Sequence, residues 1–344
     1  MAASLDNSAW IAWVSSLMGG VSRQTLAATF PSDRFYCLLD ELPLHLVPRQ
    51  ARKLLSCVPD DRSSLILNPE CQLHPPGNFP SEINVSEELR SAFADQSTIA
   101  WVRSCYGSML PFWLGPKSEA IVNELRSGES IPPSTSKEMI AVLKSAGILI
   151  LKENKPERHS DTVSNFSALF QSEGYAPLPS LLHPFHVAAL RRYYRSLIRS
   201  GQIHLGDAQS ALRYVVHNEP VARFFHQQLT GMISNVAGEP LKPSYVYLAS
   251  YLAGAELEKH TDREQCEFSI TMCLDFSPEP DLATPWPICL QTSTGTVAVH
   301  QALGDGLAYR GTRLPHFRHP LGTGRTSTSI FFHYVAADFK GPLS

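Results

Sequence analysis

The second half of the chain is dominated by short runs of β-branched and aromatic residues. They begin near Lys242, are separated by glycine and proline, and read SYVYLASYL, CEFSITMCLDF, WPICLQTS, GTVAVHQA, GDGLAYRG and TSTSIFFHYV. Such residues fit pleated strands, while glycine and proline end one strand before the next begins. Many short strands at regular spacing predict a jelly roll, that is, a sandwich or barrel-like β core.

Two amphipathic helices are predicted immediately before these strands. In the segment HPFHVAALRRYYRSLIRSG, Val187, Leu190, Tyr194 and Leu197 fall on one face, and Gly201 ends the pattern. The segment NEPVARFFHQQLTGMISNVAG has a proline in its first turn and a second apolar face. Each helix has one side to bury, so we expect both to brace the outside of one sheet. The predicted fold class is α+β.

The first part of the chain, residues 1–158, is expected to form a mixed N-terminal domain, followed by a second domain at 165–344. Helical patterns occur at 10–18 and 48–55, and residues 115–151 predict two short helices and a strand. That order resembles a winged-helix unit, which in peptide-modifying enzymes binds a precursor peptide by strand addition. A purely structural appendage is the alternative. The polar segment 152–165 predicts the linker between the domains.

Composition argues against a nucleic-acid partner, a membrane span and secretion. The formal net charge is -3 and the pI is near 6.5 without a basic stripe, which argues against a nucleic-acid partner. No apolar run reaches the length of a membrane span, and the N-terminus lacks the charged start of a signal peptide. Seven scattered cysteines without a C-x-x-C pair indicate reduced thiols. We therefore expect a cytoplasmic protein with no membrane partner, of undetermined oligomeric state.

A candidate metal site lies in YLAGAELEKHTD, residues 251–262. His260 and Asp262 are two positions apart, so in an extended segment their side chains project from the same face. One imidazole and one carboxylate are two of the three ligands in the facial triad that binds non-haem Fe(II). In a chain with 13 histidines such a pair also arises by chance, so the prediction depends on a third ligand.

The third ligand is predicted to be His316, in the segment 304–335. It lies far enough beyond His260 for intervening strands to fold it back against the first pair. His319 is an alternative, but it adjoins a proline where the chain should already be turning. His300 and His333 lie on β-patterned runs and are interpreted as ordinary strand residues.

An arginine suited to a carboxylate ligand follows. Arg325 lies beyond a turn rich in glycine and proline, which would return the chain beside His316. A guanidinium matches a carboxylate with two parallel hydrogen bonds. Ser327 shares the face of Arg325 on an extended strand and can donate its hydroxyl to the same carboxylate.

Other polar and aromatic residues near His316 have two interpretations. Arg310, Arg313 and Arg318 either orient a carboxylate of the substrate or solvate an edge strand, and we favour the second. Trp286 either covers the metal as a lid or packs in the core, and an aromatic residue in that position more often packs.

Taken together, these residues resemble a known family, the 2-oxoglutarate and Fe(II)-dependent oxygenases, and most closely its prolyl-hydroxylase-like branch. The similarity covers roughly 175–340 and comprises a Y-x-x-G-x-x-L-x-x-H-x-D motif, a G-D turn, a distal histidine and an R-x-S pair. The matching residues are Tyr251, Gly254, Leu257, His260, Asp262, Gly304, Asp305, His316, Arg325 and Ser327.

The resemblance implies a double-stranded β-helix with Fe(II) bound by His260, Asp262 and His316. It also implies that 2-oxoglutarate is bound by Arg325 and Ser327, with Tyr251 as a further hydrogen-bond partner, and that O2 is the oxidant. Hydroxylation of an unactivated C–H bond is the expected reaction, since halogenases of this family replace the carboxylate with a small residue.

The substrate is expected to be an amino-acid side chain in a peptide or a biosynthetic intermediate, because a free metabolite would not require a second domain. Two alternatives stay open. One is a small-molecule hydroxylase of natural-product biosynthesis, and the other is a non-catalytic jelly-roll binding protein.

Overall fold

The computed structural model describes residues 34–56, 62–128, 130–153 and 159–343. The helix expected at 10–18 lies outside these residues. Within them, no helix combines the length and the apolar character that crossing a membrane requires.

The described residues of the N-terminal part form two small antiparallel sheets and three α-helices. The strands are β1 (Leu65–Leu67), β2 (Gln72–His74), β3 (Ile99–Arg103), β4 (Met109–Trp113) and β5 (Leu149–Leu151). The helices are α1 (Arg90–Phe93), α2 (Pro116–Arg126) and α3 (Lys137–Ser145). Short 3-10 helices lie at Leu39–Glu41, Leu44–Leu46, Arg49–Ser56, Arg62–Ser64 and Glu87–Leu89.

The expected pair of helices before a strand is present, but a winged helix is not confirmed. The hydroxyl of Ser136 caps α3 by accepting a hydrogen bond from the Met139 amide at 3.1 Å. Gly147 then adopts a φ of 73°, which lets the chain leave the helix for β5. However, β5 pairs with β1, which precedes both helices, and not with a strand that follows it.

The C-terminal part begins with a helix where the sequence predicted a linker. Its helices are α4 (His159–Glu173), α5 (Pro184–Arg199), α6 (Pro220–Gln228) and α7 (Thr230–Ala237). Residues 159–165 are therefore helical, so that half of the predicted linker is wrong. The apolar residues that bury α4, among them Phe170, lie mostly beyond the polar segment, which is why the segment itself showed no helical pattern.

Two sheets face each other to form the β core. Its strands are β6 (Tyr175–Leu178), β7 (His204–Leu205), β8 (Arg213–His217), β9 (Leu241–Tyr251), β10 (Leu257–His260), β11 (Phe268–Ser277), β12 (Ile288–Thr292), β13 (Gly295–Val299), β14 (Gly306–Arg310), β15 (His316–Arg318) and β16 (Thr326–Ala336). The larger sheet has the order β6-β14-β11-β16-β9-β8-β7, and the smaller has the order β10-β15-β12-β13. From β9 to β16 the chain moves repeatedly from one sheet to the other, so the predicted jelly roll is confirmed.

The middle strands of the larger sheet are buried on both faces. β11 is buried along nine of its ten residues, which explains its nearly continuous apolar sequence. One face of the sheet meets the smaller sheet, and helices cover the other. The expected bracing role of the two helical segments is borne out by Val187, Leu190 and Phe225, which are at most 1% exposed.

The apolar core runs without a break from the N-terminal part into the jelly roll. Phe93 packs against Phe224 of α6 with ring centroids 5.4 Å apart. Behind β11, Arg191 of α5 is 2% exposed and its Nε donates to Asp275 at 2.9 Å, while its Nη1 donates to the Leu46 carbonyl at 2.6 Å. The N-terminal part therefore packs against the outer, helical side of the sheet.

Candidate metal site

His260, Asp262 and His316 meet at one end of the smaller sheet. His260 ends β10, His316 begins β15, and the two residues are direct cross-strand partners in the antiparallel register. Asp262 follows β10, and its amide donates to the Gly311 carbonyl at 2.9 Å. One ligand atom from each of the three side chains lies within 4.8 Å of the other two. The structure therefore brings together the three residues that the sequence singled out.

Both imidazoles are oriented by the backbone. Nδ1 of His260 lies 2.8 Å from the Glu258 carbonyl, and Nδ1 of His316 lies 3.0 Å from the Leu314 carbonyl. A carbonyl oxygen only accepts, so each Nδ1 carries the proton and each Nε2 presents a lone pair. The two Nε2 atoms lie 3.6 and 3.5 Å from Asp262 Oδ1. Three donor atoms thus converge on one point, as a bound metal requires.

The site is mostly shielded from water. The side chains of His316 and Asp262 are 3% and 12% exposed, whereas that of His260 is 33% exposed. Burial opposes ionisation of Asp262, but the interaction of its carboxylate with the imidazoles of His260 and His316 outweighs burial and holds the pKa of the carboxyl far below the ordinary value. The neighbouring Asp262 carboxylate raises the pKa of His260. The site opens towards solvent on the β10 side.

A hydrogen-bonded chain behind Asp262 fixes its carboxylate, and sequence reasoning missed it. Ser269 Oγ lies 3.0 Å from Asp262 Oδ2 and 2.9 Å from Nδ1 of His333. Burial lowers the pKa of His333 to about 4, so this imidazole stays neutral at physiological pH. His333 was interpreted as an ordinary strand residue. No local spacing signals its role, because Ser269 and His333 become neighbours only through the pairing of β11 with β16.

Gly311 is a second residue that the sequence did not single out. A Cβ atom at this position would lie 2.3 Å from Asp262 Oδ2 and 2.3 Å from the Cys266 carbonyl. Glycine is therefore needed for the close approach of this loop to the metal-binding carboxylate, although its φ is not in the left-handed region.

A second group of possible ligands shares the same carboxylate. Asp262, Cys266 and His333 also offer ligand atoms within 4.8 Å of one another. The sulfur of Cys266 is occupied by a contact with the Tyr245 hydroxyl at 3.1 Å, and Nδ1 of His333 by the bond with Ser269. The group of two histidines and Asp262 has its metal-facing atoms free of such contacts among the described residues, and it fits a metal better.

The other histidines considered as the third ligand, His319 and His300, lie outside the group of converging ligand atoms. His319 is exposed, and its ring lies 5.3 Å from that of Phe317, outside the group of converging donors. His300 lies beyond the end of β13 and binds the Thr284 carbonyl through Nδ1 at 2.8 Å. Trp286 is 4% exposed and packs against Tyr251 with ring centroids 5.2 Å apart, so it belongs to the core and is not a lid.

The three residues predicted to bind the carboxylate of 2-oxoglutarate differ in burial: two are buried and one is partly exposed. Tyr251 and Ser327 are buried cross-strand partners on β9 and β16. Arg325 precedes β16 and is only partly buried; its side chain lies over Gly322, where a Cβ would be 3.5 Å from Arg325 Cδ. Its assignment to the carboxylate therefore stays a prediction.

Arg318 is buried in the smaller sheet, contrary to the expectation from the sequence. It was interpreted as a solvating residue of an edge strand, but β15 lies between β10 and β12, and Arg318 is 4% exposed. β15 has only three residues, so its central place in the sheet was not visible in the sequence. Burial lowers the pKa of Arg318 from its ordinary value.

Comparison with known proteins yields similar solved structures. No family model matches the chain, and no curated protein matches it. Among solved structures, the non-haem α-ketoglutarate-dependent epimerase SnoN from nogalamycin biosynthesis is 15% identical with a TM-score of 0.44, covering 52% of this chain and 84% of its own. A prolyl-4-hydroxylase from Pseudomonas putida is 17% identical with a TM-score of 0.42, covering 50% of this chain and 99% of its own.

A third similar structure is HygX from Streptomyces hygroscopicus, with nickel, 2-oxoglutarate and hygromycin B bound. It is 13% identical with a TM-score of 0.42, covering 51% of this chain and 88% of its own. At these identities and scores the similarities do not assign a function, and the function proposed below depends on the site's own geometry.

Proposed function

We propose that this protein is an Fe(II)- and 2-oxoglutarate-dependent oxygenase in which His260, Asp262 and His316 hold the metal. The observation that carries the proposal is the convergence of two histidine Nε2 atoms and one carboxylate oxygen on a largely buried point. Two histidines and one carboxylate are the ligand set of the non-haem Fe(II) oxygenases, and they leave coordination positions for a co-substrate and O2.

When bound, Fe(II), 2-oxoglutarate and O2 supply the oxidising chemistry: 2-oxoglutarate loses carbon dioxide and becomes succinate, one oxygen atom enters succinate and the other enters the substrate. The chain's own residues hold the ligand atoms, exclude water and orient the reacting C–H bond. Ser269 and His333 keep the Asp262 carboxylate in place. The exposed edge of His260 marks the side from which a substrate can approach.

Hydroxylation is the proposed outcome, because Asp262 occupies the position at which a halide would need a small residue. The proposed substrate is an amino-acid side chain in a peptide or a biosynthetic intermediate, and a small-molecule natural product is the alternative. Among the described residues, no hydrogen bond or ion pair joins the N-terminal part to the three ligands. Its packing on the helical side of the sheet favours the structural role considered for it.

The test compares the wild type with Asp262→Ala and with His319→Ala as a matched control, since His319 lies three residues from a proposed ligand but outside the site. Under anaerobic conditions Fe(II) and 2-oxoglutarate should give the wild type and the control a weak visible charge-transfer band, and the Asp262 variant none. With O2 and candidate peptides or small molecules, the first two should form succinate and a product heavier by one oxygen atom.

A wild-type protein that binds neither Fe(II) nor 2-oxoglutarate would refute the oxygenase proposal and leave the non-catalytic binding protein as the alternative. Succinate formation that survived the loss of the Asp262 carboxylate would show that the metal ligands are assigned wrongly.

A further inference from the structure

The jelly roll contains a buried guanidinium without a carboxylate partner. Arg318 is 4% exposed; its Nη1 donates to the Trp286 carbonyl at 2.7 Å, and its Nη2 lies 3.5 Å from Gln301 Oε1. Its Nε is buried and has no hydrogen-bond partner in the described structure. The ring of Trp286 lies under the guanidinium, 4.7 Å from its carbon. None of these neighbours carries a negative charge.

The other buried arginines of the described residues each form an ion pair with a carboxylate. Arg191 is 2% exposed and forms ion pairs with Asp275 at 2.9 Å and Glu279 at 2.8 Å. Arg213 is 3% exposed in its side chain and forms an ion pair with Asp207 at 2.5 Å. A buried charge is costly unless an opposite charge and hydrogen bonds compensate it. Arg318 lacks that compensation, as expected for a group whose counter-ion arrives with a ligand.

Arg318 faces the same interior as the metal site. It lies two residues after His316 on β15, so the two side chains project from one face about 6.6 Å apart along the strand. That separation is comparable to the length of a five-carbon chain. A second buried polar atom without a partner among the described residues is Ser329 Oγ, on β16, where Ser329 is the cross-strand neighbour of Cys273 on β11.

We infer that Arg318, assisted by Ser329, binds the distal carboxylate of the 2-oxo diacid whose other end reaches the metal, and that Arg325 does not. The inference rests on the proposed function and deepens it, because it moves the co-substrate anchor from the turn before β16 to the strand of the distal histidine. Arg325 lies over Gly322, partly exposed, and has no orphaned buried atom. Arg318 presents both a buried charge and an unused donor.

The experiment measures the binding of two ligands to the Fe(II)-loaded protein without O2. The ligands are 2-oxoglutarate and 2-oxopentanoate, which has the same carbon chain and keto acid end but no distal carboxylate. Isothermal titration gives the ratio of the two dissociation constants for the wild type, Arg318→Gln, Arg318→Lys and the matched control Arg325→Gln. Thermal unfolding of each protein without ligand reports whether the substitution itself damages the fold.

In the wild type and in Arg325→Gln, the diacid should bind roughly 30-fold or more tightly than the monoacid, the usual effect of pairing a buried charge. In Arg318→Gln the ratio should fall close to one, and in Arg318→Lys it should be intermediate, because an ammonium keeps the charge but loses the planar fork. The melting temperature of ligand-free Arg318→Gln should not fall, since an uncompensated charge is removed.

A preserved ratio in Arg318→Gln, or a ratio lost in Arg325→Gln, would overturn the assignment while leaving the oxygenase proposal intact. A marked fall in the melting temperature of ligand-free Arg318→Gln would also overturn it, because it would identify Arg318 as a structural residue. A metal-loaded wild type that binds neither ligand would instead refute the proposed function, and this inference with it.

Discussion

Replacement of Gly311 by alanine should destroy the metal site through one methyl group. The added Cβ would lie 2.3 Å from Asp262 Oδ2, 2.3 Å from the Cys266 carbonyl and 2.9 Å from Ser269 Oγ. Carbon and oxygen atoms rarely approach within about 3.3 Å, so the neighbours must move by about 1 Å. The Gly311 amide donates to the Glu267 carbonyl at 3.0 Å and its carbonyl accepts from the Asp262 amide, so the loop itself is held in place.

Of these neighbours the Asp262 carboxylate yields most easily, because it is the end of a side chain, whereas the Cys266 carbonyl moves only with its backbone. Rotating it away removes one proposed ligand from the point where Nε2 of His260 and His316 converge. We expect Fe(II) affinity to fall by about 10- to 100-fold, the usual effect of disturbing the groups that orient a ligand. Turnover should fall by about 100-fold or more, as for a 1 Å misplacement at a reacting centre. Overpacking should also lower the free energy of unfolding by about 1–3 kcal/mol.

The assay is an anaerobic titration with Fe(II), together with thermal unfolding of the metal-free protein. Gly231→Ala is the matched control, because Gly231 lies within α7 and nothing lies within 4 Å of a Cβ built there. That control should bind metal normally and gain up to about 1 kcal/mol of stability. If Gly311→Ala folds and binds Fe(II) as tightly as the wild type, the position assigned to the Asp262 carboxylate is wrong.

Two further predictions concern the residues behind the site and behind the sheet. Ser269→Ala should weaken Fe(II) binding by about 10-fold or more while retaining the fold, because Asp262 loses its hydroxyl partner; unchanged affinity in the same titration would show that this hydroxyl does not orient the ligand. Asp275→Asn should lower the free energy of unfolding in urea at pH 7 by about 1–3 kcal/mol, because the buried Arg191 keeps only Glu279 as a carboxylate partner. Burial alone would raise the pKa of Asp275, but Arg191 and Arg195 outweigh burial and lower the pKa in the folded state. The stabilisation from Asp275 is therefore complete above its unfolded-state pKa of about 3.9, and it is lost as the pH falls through the lower folded-state pKa. The gap between the two proteins should therefore narrow below pH 4, and a gap that stayed constant with pH would contradict this account.

Much of the fold was predictable because its signals are local. The β-branched and aromatic runs and the turn residues of the second half predicted the jelly roll, and the two short helices followed by a strand that the sequence predicted are present as α2, α3 and β5. The linker prediction was half wrong because a polar segment can form the first turns of a helix whose apolar residues come later, as in α4. The winged-helix prediction used element order alone, whereas strand pairing decides such a fold.

The sequence by itself determined that His260 and Asp262 share a face, since a two-residue period follows from the geometry of an extended chain. Only the tertiary structure decided that His316 pairs across from His260, that Arg318 is enclosed rather than solvating an edge, and that Gly311 touches the carboxylate. These outcomes depend on register between strands distant in sequence and on what covers each side chain. The local sequence determines which side chains of a strand share a face, but packing between segments distant in sequence determines which residues those side chains contact.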